Sequence, residues 1–465
     1  MPGQDGRRFV RNRRFCAIFF DSWRYHHFSV QQCDCILHRS QVSFLPSPCF
    51  YRRTRAAAMS NPLPPRAADS DDERDEPRMM EEAPTAGAAT RPQIEEVIAI
   101  TASDELVEVN SSRIFSFDEL PLDKMLGCTA LVLRKNLLHA LVPFPEHLRR
   151  NLTELDLFDN KLSQLEPFFL RVLPDSLPTL AAGAAIAPSP SITSCQFYAL
   201  RKLDVSYNRI KRIAGLQDLP PTLEELYMVE NMIKDVSGLE TLVNLKILEL
   251  GGNRIRSVGD GLRTLVNLEQ LWLGKNKIAD LGTAFHGLKK LKRLSLQANR
   301  LTRVDASTFP EGEHPVLEEL FLGENGITVI DGLEHLHGLS MIDLSMNPVP
   351  TLGRPQLLSD DDKAKALSAG ECTAMRTTIL TPAVFPRLAE FWLSDGKLSD
   401  WRELGVFKPF VGTLDTVYLE RNPLEDDQRY RAKIAYELPF LRQIDSWPVV
   451  NRDDPEKDRA RRSAN

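Results

Sequence analysis

The chain has 465 residues, 42% hydrophobic and 26% charged. That length exceeds a single hydrophobic core, so it calls for several domains or a repeat array, and the composition excludes a wholly disordered chain. A net charge of −6 and a pI near 5.9 argue against nucleic acid as a partner. No apolar run reaches the length of a membrane-crossing helix, so no membrane association is expected. The seven cysteines show no disulfide rhythm, which fits a reducing compartment.

In chain order, residues 1–58 carry ten Arg, three Asp and neither Lys nor Glu. They read as a disordered basic segment or as an extension upstream of an ordinary start at Met59, ahead of the alternative of an Arg-rich targeting peptide. Cys33, Cys35, His26, His27 and His38 fall there without a defensible zinc spacing. Residues 59–103 turn acidic and rich in Pro and Ala, the composition of a solvated disordered tail. Residues 451–465 form a charged tail.

Between these ends the chain is periodic. Leu200, Leu203, Val205, Asn208 and Ile210 set a register repeated by Leu223, Leu226, Met228, Asn231 and Ile233. It recurs around Asn253, Asn276, Asn299, Asn325 and Asn347, with successive Asn spacings of 23, 22, 23, 23, 26 and 22. Weaker copies lie upstream at Val107, Leu131 and Leu155 and downstream at Phe391 and Val417, giving twelve strand units. This is the leucine-rich-repeat signature. It predicts an α/β solenoid over 104–425 of about twelve 22-residue repeats, with a parallel sheet on the concave side and short helical or 3₁₀ turns on the convex side. One unit buries about five apolar side chains at roughly 1.5–3 kcal/mol each. Ordering its twenty or so residues costs roughly 1–2 kcal/mol apiece. A unit therefore folds only when stacked on its neighbours. Ten of the twelve units keep the turn Asn; Ser112 and Gly396 replace it in the others. Segments near 167–197 and 352–384 interrupt the register and read as insertions. An amphipathic helix over about 427–437, followed by Phe440, Leu441 and Ile444, predicts a closing cap over 426–450.

In each Leu-x-Leu strand both leucines point inward and the residue between them points out. The outward column reads Glu108, Val132, Asp156, Asp204, Tyr227, Glu249, Trp272, Ser295, Phe321, Asp343, Trp392 and Tyr418, with Glu390 on the same strand and face as Trp392. Rings alternating with carboxylates at positions expected to be exposed predict a protein interface that selects a basic partner surface. The competing reading is that the rings lie along neighbouring strands and stabilise the sheet.

The motifs Leu248–Ile255, Leu273–Ile278, Leu294–Leu301, Glu390–Leu393 with Trp401, Val417–Leu424 and the cap at 430–445 resemble the leucine-rich-repeat regulatory subunit of protein phosphatase 1, the regulatory subunit 7 family. The resemblance spans about 104–448. It implies a non-catalytic scaffold, nuclear and cytoplasmic, that grips the phosphatase catalytic subunit with its concave face. By that resemblance the contact positions are Asp204, Tyr227, Glu249, Trp272, Asp343, Glu390, Trp392 and Tyr418. Strand alternation adds Phe321. Tyr227 and Trp272 stand where the family carries other aromatics. A monomer is expected before the partner binds.

The alternative is an adaptor of the same repeat class for a splicing particle or an axonemal dynein. No phosphate-binding loop and no His-Glu-x-x-His motif occurs, and Gly274-Lys275-Asn276 is a strand-end turn, so neither enzyme activity, cofactor nor metal is expected.

Overall fold

The computed structural model describes residues 100–165, 197–216, 219–355 and 376–449. The segments read from sequence as a basic extension, as most of the acidic tail and as the charged end lie outside the described residues, as does most of each insertion.

Twelve three-residue strands recur once per repeat. They are β1 (Leu106–Glu108), β2 (Ala130–Val132), β3 (Glu154–Asp156), β4 (Lys202–Asp204), β5 (Glu225–Tyr227), β6 (Ile247–Glu249), β7 (Gln270–Trp272), β8 (Arg293–Ser295), β9 (Glu319–Phe321), β10 (Met341–Asp343), β13 (Glu390–Trp392) and β14 (Thr416–Tyr418). All pair in parallel and in chain order, with the central leucines in register: Leu226 opposite Leu248, Leu248 opposite Leu271, Leu271 opposite Leu294. Between β10 and β13 lies a two-stranded antiparallel ladder, β11 (Arg354–Pro355) with β12 (Arg376–Thr377).

The core is one continuous column of aliphatic side chains. Each strand's central residue and the apolar residue two positions after it are buried, so each repeat closes its neighbours' interior. Phenylalanines fill wider places: Phe117, Phe144 and Phe197 meet edge to face or tilted at 5.3 Å, and Phe391 meets Phe407 at 5.0 Å. Phe197, Leu352 and Leu380 are themselves buried in this core. Both insertions are therefore narrower than the sequence register suggested, because their flanks pack as repeat residues. In the central repeats the return path is a chain of turns. Among the described residues the longer helical segments lie toward the ends, as α1 (Glu146–Asn151), α2 (Tyr430–Glu437) and the 3₁₀ segment Trp401–Phe410. A 22-residue period leaves too little chain behind the strand for a stable helix.

The turn asparagines join the repeats. Asn276 donates its amide to the Leu250, Leu273 and Gly274 carbonyls at 3.0, 3.0 and 3.2 Å and accepts from the Ile255 N–H at 3.0 Å. Each such side chain satisfies buried backbone groups of two consecutive repeats. The residue before it adopts positive φ throughout, from Lys135 at 57° to Arg421 at 58°, and only Gly252 among these is a glycine. A left-handed residue with a side chain costs roughly 1–2 kcal/mol, which the buried amide network offsets in every repeat.

The sheet ends in a cap the sequence only half revealed. Beyond β14 come β15 (Gln443–Ile444), parallel, and β16 (Trp447–Pro448), antiparallel to it. Asp445 turns the chain between them at φ 53° and accepts from the Leu419 and Glu420 N–H groups at 2.8 and 3.1 Å, so the last full strand does not end with bare donors. Tyr430, Ile434 and Leu438 cover the apolar end beneath. Lys433 sits 4.8 Å from the Trp401 ring centre and holds α2 against the preceding 3₁₀ turn.

Candidate protein-interaction face

The first and third residues of every strand project from the face of the sheet opposite the core. Neighbouring strands lie about 4.8 Å apart, so side chains in one column touch along the sheet. That spacing corrects the expectation of full exposure. Asp156, Asp204, Tyr227, Ser295 and Tyr418 are buried, and Glu249, Trp272, Phe321, Asp343, Glu390 and Trp392 are half-buried. The column is a packed surface with three chemically distinct zones.

At the amino-terminal end the acids are neutralised from within. The Arg134 guanidinium lies 2.5 Å from Asp156 and 3.7 Å from Asp204, and 5.1 Å above the Phe158 ring. Phe158 in turn rests on Tyr207 at 4.8 Å. The Phe158 N–H donates to Asp156 and the Ser206 N–H to Asp204. Burial still pushes both carboxyls above the usual range, and for Asp204 the neighbouring Asp156 charge adds to it. Asp204 is thus already engaged. Arg134 escaped the sequence reading because it stands two residues beyond its strand, outside the Leu-x-Leu column.

In the middle the pattern reverses. Glu249 stands in register between Tyr227 and Trp272. No cation among the described residues pairs with it. Burial, reinforced by the Asp204 charge, pushes its carboxyl up to about 7. The Tyr227 hydroxyl donates to Glu225 at 3.0 Å. One strand further on, Ser295 is small enough for Trp272 and Phe321 to lean over it and stack at 6.1 Å. Ser295 is 1% exposed beneath them.

The third zone holds Asp343, Glu390, Trp392 and Tyr418. Trp392 and Tyr418 meet at 4.8 Å, and the Tyr418 hydroxyl accepts from the Gln443 amide at 2.7 Å. The Trp392 indole N–H is buried with no acceptor among the described residues. Asp343 accepts from the Ser345 N–H at 2.9 Å, and burial pushes its carboxyl up.

Several other charges of the sheet are matched. Along the edge that precedes the strands, Glu224 pairs with both Arg201 and Lys246, and Glu269 with Lys292, at 2.6–2.8 Å. On the open face itself Lys202 pairs with Glu154 at 2.6 Å and Arg293 with Glu319 at 2.9 Å. This first-residue column was read from the sequence only at Glu390. Among the described residues Glu249 and Asp343 lack such a partner.

Leucine-rich-repeat family models match residues 151–173, 221–264, 243–301 and 289–349. A protein phosphatase 1 regulatory inhibitor subunit homologue of Arabidopsis thaliana is 42% identical over 60 residues, 13% of this chain and 18% of that protein. Protein phosphatase 1 regulatory subunit 7 of Mus musculus is 48% identical over 52 residues, covering 11% and 14%, and that of Danio rerio 54% over 46 residues, covering 10% and 13%. The matched stretches span less than a fifth of these relatives. Among solved structures, an internalin of Listeria monocytogenes aligns over 76% of this chain and 88% of its own, with 17% identity and a TM-score of 0.48. A leucine-rich-repeat protein of Leptospira interrogans aligns over 69% and 73%, with 23% identity and a TM-score of 0.44. Periodicity, sheet topology and family models agree on a leucine-rich-repeat solenoid, and its local sequence likeness is to the regulatory subunit 7 family of protein phosphatase 1.

Proposed function

We propose that this chain is a non-catalytic regulatory scaffold, nuclear and cytoplasmic, that docks the catalytic subunit of protein phosphatase 1 on the open face of its sheet. The relatives named above are regulatory subunits of that enzyme. The observation that carries the reading is Glu249, half-buried between two rings and without a cation, on a sheet where Glu154, Glu224, Glu269 and Glu319 all have one. A carboxylate held unpaired costs stability unless a partner supplies the charge. Tyr227, Trp272 and Phe321 supply broad apolar contact beside it, and Asp343, Glu390, Trp392 and Tyr418 extend the same surface toward the cap.

The test is co-purification with the phosphatase catalytic subunit. Trp272→Ala combined with Glu249→Lys should abolish it while the circular dichroism spectrum stays that of the parent. Undiminished capture by the folded double variant refutes this surface. Recovery of splicing or dynein components without phosphatase favours the adaptor reading.

A further inference from the structure

The acids of the open face are not equally provided for. Across β2 to β7, Arg134 pairs with the acids of the third-residue column and Lys202 acts on Asp156 through its charge, both at the Asp156 end. Every charged or titratable group around Glu249 is otherwise committed. On β5, Glu225 accepts from Tyr227, and Glu230 just beyond it pairs with Lys275 beyond β7 at 3.2 Å. On β7, Gln270 and Trp272 bring no charge. On β4, Lys202 is held by Glu154, and Asp204 adds a second negative group. We infer that the phosphatase-docking surface is proton-gated: a basic side chain of the partner seats on Glu249 only as that carboxyl gives up a proton, so affinity falls as the pH drops through neutrality. This rests on the docking reading above and adds its regulation.

The reasoning is one of linkage. A buried carboxyl with no cation nearby holds its proton until well above the usual carboxylate range, and this one is pushed up to about 7. An incoming lysine or arginine favours the ionised form, so binding expels the proton. Tyr227 and Trp272 on either side restrict water, which raises the neutral share of the carboxyl in the free protein. Asp204, already shared with Arg134 and Asp156, adds a weaker response of the same sign.

The experiment is isothermal titration of the full chain with purified phosphatase catalytic subunit at pH 6, 7 and 8, in two buffers of different ionisation enthalpy, alongside ¹³C-detected NMR titration of the glutamate carboxyls of the free protein. One gating proton predicts roughly tenfold weaker binding at pH 6 than at pH 8, with proton release on association. Glu249→Gln should bind weakly and with little pH dependence, while Asp204→Asn keeps most of the response. Binding of constant strength across this range, or a Glu249 titration with an ordinary glutamate midpoint, overturns the gate and leaves the docking surface standing. No binding at any pH overturns the docking reading itself, and the gate with it.

Discussion

The array is interrupted twice, and the two junctions are repaired differently. Between Asn160 and Asn208, which are 48 positions apart, the turn network continues as though nothing intervened. Asn208 accepts from the Leu162 N–H at 2.9 Å and donates to the Leu157 carbonyl at 3.1 Å. Between Asn347 and Gly396 the sheet pairing also holds, with the Leu344 and Met346 N–H groups donating to the Trp392 and Ser394 carbonyls at 2.8 and 2.7 Å. The amide link is missing there, however. The Val349 N–H turns back to the Asn347 carbonyl at 2.8 Å, and the Leu352 N–H finds the buried Glu403 carboxylate at 2.8 Å. Thr378 donates to the Leu352 carbonyl at 2.8 Å and completes the substitution. The strands set the register of the solenoid, and the asparagines satisfy its buried turns. At the second junction the Val349 donor, which an asparagine at 396 would have met, is taken by the Asn347 carbonyl instead.

The largest expected effect breaks the first junction. Asn208→Ala removes four hydrogen bonds, to Leu157, Leu162, Val205 and Ser206, and strands those backbone groups out of water. At roughly 1–3 kcal/mol per unsatisfied group, and with partial relaxation, the loss should be about 4 kcal/mol. Urea unfolding beside Asn276→Ala sharpens the comparison. Equal losses show that the interruption leaves the network at full strength, and a much smaller loss at Asn208 shows that it does not.

The second junction should break at Glu403. Glu403→Ala leaves the buried Leu352 N–H without its charged acceptor, a loss of about 2 kcal/mol. Asn347→Ala sharpens this: Asn347 accepts from the Ile327 N–H and Glu403 from the Leu352 N–H, so the two losses should add, and a double variant that loses less than their sum shows the two turns to be coupled.

A third irregularity is absorbed within the fold. The repeat from Asn299 to Asn325 is 26 residues long, and its extra chain brings His314 into the interior, 1% exposed and edge-on to Phe309 at 5.3 Å. Burial lowers the imidazole to about 4, against the opposing pull of the Glu313 charge. In the unfolded chain the same imidazole takes up a proton near pH 6.5. The unfolded state therefore binds more protons between these values, and stability is lost as pH falls from about 6.5 to about 4. The contribution is about 2 kcal/mol by pH 5. His314→Phe should flatten that part of the profile; an unchanged acid slope in thermal unfolding refutes the assignment.

Much of this was legible in the sequence because the repeat is a local code. A Leu-x-Leu pair and an Asn three residues on specify strand, inward face and turn without reference to distant chain, and all twelve strands fall where that code puts them. What it missed depends on neighbours in space. Arg134 reaches Asp156 and Asp204 across two strands, and no reading of its own repeat reveals that. Asp445 acts as a cap because α2 and β14 converge on it. The column residues are less exposed than alternation implies, because Ser295 lets Trp272 and Phe321 close over it. The identity of each side chain was plain, whereas its degree of neutralisation and burial arose from register between repeats.

The smallest expected effect concerns the missing asparagine itself. Restoring a side chain at Gly396 is the obvious repair, yet a Cβ there would stand 2.6 Å from the Asn422 amide oxygen, which accepts from the Leu398 N–H at 2.9 Å. Asn422 also donates to the Leu393 and Leu419 carbonyls, so it carries the last link before the cap. Glycine at 396 is what lets that link approach so closely. Gly396→Ala should therefore destabilise by about 1 kcal/mol, the cost of lengthening one buried hydrogen bond. Hydrogen exchange at Leu398 should rise while that at Leu344 stays protected, because the strand pairing between β10 and β13 does not depend on the turn. Equal loosening at both amides would mean that the sheet and the turn network fail together at this junction, and that the strands alone do not hold the register.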